Sequence, residues 1–82
     1  MSENLVARDH LVAELIEQDI EFRSLFKQHQ ELEAQLEEFG RRKYLNTDES
    51  MERKRIQKVK LQGKDRMEEL LRRYAERTAV AA

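Results

Sequence analysis

The chain has 82 residues, of which 39% are hydrophobic and 40% charged, and its 17 acidic and 16 basic side chains leave a net charge of −1 at pH 7. A single domain of this size buries a modest share of its surface, so a lone core gives marginal stability and a partner surface is the expected remedy. Cysteine and proline are both absent, which excludes a disulfide framework, a thiolate nucleophile and a Cys-rich zinc site.

The N-terminal stretch places Glu3 and Asp9 around Leu5, Val6 and Ala7. With no uninterrupted apolar run, neither a secretory signal nor a membrane span is expected, and a cytoplasmic protein follows by default. The segment is predicted as a short helix over about 4–18. Its apolar stripe of Leu5, Val12, Ile16 and Ile20 runs out of phase with Phe22 and Leu25, whereas Leu11 and Leu15 are in phase. Asp19 is a good N-cap, so a break or kink is expected near Gln18–Asp19.

A second helix is predicted over about 20–39. Phe22, Leu25, His29, Leu32, Leu36 and Phe39 follow alternating steps of three and four, which lays one apolar seam along a helix; Phe26 adds to it. Gly40 directly follows the last in-phase residue and is read as a left-handed C-terminal cap. A loop over 40–47 then leads to a second start signal, with Thr47 or Asp48 as N-cap and Asp48, Glu49 and Glu52 suited to the positive end of the helix dipole.

The third helix is predicted over about 48–77, with a frayed tail at 78–82. Its seam is Ile56, Val59, Gly63, Met67, Leu70 and Tyr74, widened by Leu71. Glu49 with Arg53, Glu68 with Arg72 and Glu69 with Arg73 are spaced for pairing on the outer surface. Gly63 costs roughly 1 kcal/mol in a helix interior, and close approach of Phe26 or His29 is the packing account that would offset it. Leu61 points away from the seam and implies a second contact surface, hence self-association. These elements make an all-α fold: an antiparallel, coiled-coil-like helical hairpin with a short N-terminal helix, assembling into a helical bundle as a homodimer or higher oligomer.

Charge is unevenly placed. Residues 1–39 carry ten acidic and three basic side chains, a balance of −7, while residues 40–82 carry thirteen basic and seven acidic, a balance of +6. The basic cluster Arg53, Lys54, Arg55, Lys58, Lys60 and Lys64 could contact phosphates. Neutralisation of Glu31, Glu33, Glu37 and Glu38 across the hairpin is the favoured expectation, because the basic residues point several ways around the helix beside the acidic end of the other, and no aromatic side chain is interleaved with them to stack bases. His29 is expected to set helix register as a polar residue on an apolar seam; a pH switch or metal ligand is the competing role, but the other histidine, His10, is distant and neither has a further His or Cys one turn away. The carboxylates are dispersed around a solvated helix, and no nucleophile–base set or glycine-rich phosphate loop is present, so no enzymatic activity, cofactor or metal is expected.

Two segments together carry a family resemblance. Phe22, Leu25 and His29 match a Phe-x-x-Leu-x-x-x-His core, and Lys60, Leu61, Lys64 and Asp65 match a Lys-Leu-x-x-Lys-Asp core. In combination they resemble the small bacterial YdcH-like family, a family of unknown function, over most of residues 15–74. The chain departs from the pattern at Gly63, where a larger apolar residue is usual, and at Gln57, where a lysine is. The resemblance implies an oligomerising antiparallel hairpin and no activity or cofactor. The functional expectation is a non-catalytic interaction or scaffold module whose partner is a second copy or an unidentified protein; the alternative is an RNA- or ribosome-associated binder using Arg41–Lys43 and Arg53–Lys64.

Overall fold

The computed structural model describes the backbone of residues 2–81 and the side chains of residues 9–78. Three helices make up the described chain: α1 over Ser2–Gln18, α2 over Ile20–Gly40 and α3 over Thr47–Ala81. At 1.5 Å per residue α3 is roughly 52 Å long, and it sets the long dimension of a body measuring 53 × 26 × 17 Å.

The break between α1 and α2 falls at Asp19, in extended backbone (φ −122°, ψ 116°), and its carboxylate accepts the Phe22 N–H at 2.9 Å. Arg23, one turn into α2, donates to the carbonyls of Ile16 and Glu17 at 2.8 and 2.9 Å. Thus the side chain of one helix satisfies the open carbonyls of the other. Val12 of α1 shares a depression with Phe22, Phe26 and His29 of α2 and Met67 and Leu71 of α3, so α1 folds back across the pair.

Helices α2 and α3 run in opposite directions, as two bridges show: Arg66 to Glu21 at 2.8 Å and Lys60 to Glu33 at 3.4 Å. The loop between them departs from the sequence expectation at both ends. Gly40 stays inside α2 with no positive φ; the helix closes instead at Arg41, right-handed (φ −80°, ψ −16°), whose N–H is shared by the Glu37 and Glu38 carbonyls at 3.2 Å each. Ion pairs from the Arg41 guanidinium to Glu37 and Glu38 hold that conformer, so no left-handed residue is needed. The cap of α3 is Asn46 rather than Thr47 or Asp48: its Oδ1 accepts the Glu49 N–H at 2.8 Å, and Glu49 Oε1 accepts the Asn46 N–H at 3.1 Å, a reciprocal capping box. At its far end α3 passes Arg77 and continues to Ala81. No Gly or Pro stops it there, alanine favours the helix, and Thr78 Oγ1 donates back to the Tyr74 and Ala75 carbonyls. The side chains of the expected frayed tail beyond Thr78 lie outside the described residues, as does that of Leu5.

The core sits where the three helices meet. Leu15, Phe22, Met67, Leu70, Leu71 and Tyr74 form one buried cluster, with Leu11, Val12, Ile16, Leu25 and Phe26 packed against it. Phe22 is 1% exposed and stacks on Phe26 with ring centroids 6.4 Å apart. Leu15, in phase with Phe22 and Leu25, is 2% exposed, and the elbow at Asp19 is what turns it inward. Ile20, taken as part of the α1 stripe, is instead 76% exposed.

Candidate interaction surface

Away from the α1 junction the α2–α3 pair has only two layers. Ile56 is buried there but does not join the main cluster. Leu32, Leu36, Phe39, Leu45 and Val59 are all half-buried. The predicted seam therefore divides: Phe22, Ile56, Met67, Leu70 and Tyr74 are buried, Leu25, Phe26, His29, Leu32, Leu36, Phe39 and Val59 reach only partial burial, and Leu61 lies outside at 58% exposure. Two helices cannot enclose a stripe on their own, since each leaves its flank to solvent.

Whole-chain dimensions tell the same story. A compact monomer of 9.9 kDa exposes about 5200 Å² and one of 82 residues has a radius of gyration of about 12 Å by general scaling. This chain exposes 6695 Å² and has a radius of gyration of 15.9 Å.

Gly63 lies on this surface. A methyl group built on it would meet nothing within 4 Å, so neither Phe26 nor His29 closes on it, contrary to the packing account. The helical penalty of roughly 1 kcal/mol has no offset among the described residues.

His29 has its Nε2 3.2 Å from Glu33 Oε1, with the side chain 19% exposed. Its Nδ1 is buried and makes no hydrogen bond among the described residues. His10 pairs separately with Glu14 at 2.8 Å, so each imidazole has its own carboxylate one turn along and the two are not brought together.

The electrostatics also differ from the simple cross-hairpin pairing. Among the described residues only Lys60 of the basic cluster reaches an acid of α2, namely Glu33. Arg55 binds Glu52 on its own helix at 3.0 Å, and Glu37 and Glu38 are taken by Arg41. Arg42 pairs with Glu49, which the expected Glu49–Arg53 spacing does not capture, and lies 5.4 Å from the Phe39 ring centroid. Glu69 and Arg73 do pair, at 2.6 Å. Arg53, Lys54, Lys58 and Lys64 are exposed and form no ion pair among the described residues. The bidentate bond from Arg66 holds the Glu21 carboxyl below the usual carboxylate range. Tyr74 donates its hydroxyl to Glu14 at 2.7 Å, and that bond, with burial, pushes its ionisation up from the usual phenol value.

Surface depressions are shallow. One of about 610 Å³ is bordered by Asp19, Leu70, Arg73, Glu76 and Arg77, and in it Arg73 is already tied to Glu69. Among the described residues no helix is long and apolar enough to cross a membrane, and no three His, Asp or Glu side chains converge as a metal site would require.

No curated protein and no solved structure matches the chain. Residues 22–71, from the first buried phenylalanine of α2 to the last leucine of the α3 core, match the family described as "Protein of unknown function (DUF465)"; that span exceeds half of the sequence, so the chain belongs to this family, which includes the small YdcH-like proteins.

Proposed function

We propose that the chain is a small, non-catalytic interaction module of the cytosol whose α2–α3 pair is a coiled-coil-like hairpin that self-associates into a larger helical bundle. One observation carries this reading: the half of the hairpin beyond α1 holds, around the buried Ile56, an apolar stripe that is only half-buried and has no third layer over it, on a chain exposing about 1500 Å² more than a compact monomer of its mass. A standard interface buries about 1200–2000 Å² in total, so a second copy has room to supply what the single chain lacks. Size-exclusion chromatography coupled to light scattering at tens of micromolar should return at least twice the chain mass, with thermal unfolding that shifts with protein concentration. A monomer mass with concentration-independent unfolding would refute the proposal.

A second reading, an RNA- or ribosome-associated binder, draws on Arg53, Lys54, Lys58 and Lys64, which are exposed and form no ion pair among the described residues. Their charge is more dispersed than a phosphate-tracking stripe and Met51 and Leu61 interrupt it, both largely exposed. In a polarisation assay near physiological salt, RNA binding is expected to be no tighter than the roughly 10⁻⁴–10⁻⁶ M of non-specific contacts. Sub-micromolar, structure-selective binding lost on mutation of Lys54 and Lys58 would favour the binder instead.

A further inference from the structure

We infer that the self-association surface is the face of the α2–α3 pair turned away from α1, with the gap at Gly63 receiving an apolar side chain from α2 of a second copy. The inference rests on the self-association just proposed and specifies where it happens.

The face follows from rotation along each helix. Successive helical residues turn by 100°, so Glu21, Leu25, Leu32 and Phe39 fall near one line of α2, and Val59, Gly63, Arg66 and Leu70 near one line of α3. The Glu21–Arg66 bridge ties these two lines onto the same side of the pair. Phe22, Phe26 and His29 of α2, with Lys64, Met67 and Leu71 of α3, border the depression shared with Val12 of α1, so α1 occupies the other side. Leu25 and Leu70, at the α1 end of these lines, pack into or against the core, whereas Leu32, Phe39 and Val59 are half-buried on a face with nothing across it. In its middle the absent Gly63 side chain leaves open space, since even a methyl there would touch nothing.

Charge selects a second copy as the occupant and fixes its orientation. The flank of α2 bordering this face carries Glu31 and that of α3 carries Lys58; both are exposed and neither is ion-paired among the described residues. The Lys60–Glu33 bridge fixes the alignment of the two helices, which puts Glu31 and Lys58 within about a turn of the same height. A two-fold axis running along the hairpin lays the acidic α2 of each copy against the basic α3 of the other and brings Glu31 beside the partner's Lys58 at both edges, whereas the other in-plane axis sets acid against acid. The apolar line of the partner's α2 then lies over Gly63.

The test is sedimentation equilibrium on five full-length variants beside the wild type. Gly63→Leu should raise helix stability at concentrations where the chain is monomeric, because it removes a helical glycine, yet weaken dimerisation by about a hundredfold by filling both gaps. Glu31→Lys and Lys58→Glu should each weaken it by about tenfold, and the two together should recover most of the loss. Leu61→Glu, on the outer side of α3, should leave the dimer intact. A monomeric wild type overturns the parent reading. A dimeric wild type overturns this inference alone if Gly63→Leu dimerises normally, if the paired reversal gives no recovery, or if Leu61→Glu dissociates it.

Discussion

Truncation of Phe22 and of Leu36 should separate the energy of the chain's own core from that of the proposed assembly. Phe22 is 1% exposed, lies in the buried cluster where all three helices meet and stacks on Phe26. Phe22→Ala removes a whole ring from that junction and should cost about 3–5 kcal/mol. Total stability for a domain of this length is only about 4–12 kcal/mol, so the variant should lose a large share of it, and the loss should be about the same at every protein concentration because the ring is already enclosed within one chain. Leu36 is half-buried in the two-layer region. Leu36→Ala should cost only about 1–2 kcal/mol in the isolated chain, where much of the side chain already meets water, and about 2–5 kcal/mol where assembly completes its burial. Urea unfolding followed by circular dichroism, repeated over about a hundredfold range of protein concentration, reads both effects. Equal penalties for the two variants, independent of concentration, would show that the seam is buried uniformly within one chain and would undo the division drawn between the three-helix and two-helix regions.

Two further perturbations follow from the hydrogen bonds. Asn46→Ala should cost about 1 kcal/mol, a fall of about 4–8 °C in melting temperature, while Thr47→Ala should stay within about 0.5 kcal/mol; the reverse order in thermal melts would place the α3 cap at Thr47. Because Tyr74 donates to Glu14, its folded ionisation lies above that of the unfolded phenol; its contribution is therefore complete below about pH 10 and lost as pH climbs through the raised value. Tyr74→Phe should flatten that part of an alkaline stability profile, and identical wild-type and variant profiles above pH 10 would contradict it.

What was legible in the sequence tracks how local each determinant is. The three helices, and the break at Asp19, follow from periodicity and from a carboxylate that can reach only its own next turn. Asn46 and Glu49 also stand at capping-box spacing, so that cap is legible in the sequence, though Thr47 and Asp48 offer competing cap residues beside it. Gly40 looked like a helix stop because glycine tolerates the left-handed region; Arg41, braced by Glu37 and Glu38, makes that tolerance irrelevant. Leu15 and Leu71 could not be weighted correctly from spacing alone, since their burial depends on α1 folding back, a tertiary event. The basic cluster departs from the expected cross-pairing for two reasons that spacing does not show: Arg55 is satisfied by Glu52 on its own helix, and Arg53, Lys54, Lys58 and Lys64 lie exposed without an ion-pair partner among the described residues. Periodicity put Gly63 on the seam, but it could not say that the space before it is empty.

The elbow at Asp19 bears on how copies of this chain can be entangled. Were residues 2–40 to straighten into one rod, it would be about 58 Å long, and α1 would swing off its own α3 and become free to settle on a neighbour's, the usual route to exchanged dimers and open-ended chains. That excursion would give up the Asp19 cap and both Arg23 bonds and would bring Leu15 into water. The joint thus acts as a latch against swapping: it keeps each chain's N-terminal arm on its own α2–α3 pair, and in the assembly proposed above a weakened latch, as in Arg23→Ala, would open the way to exchanged arms.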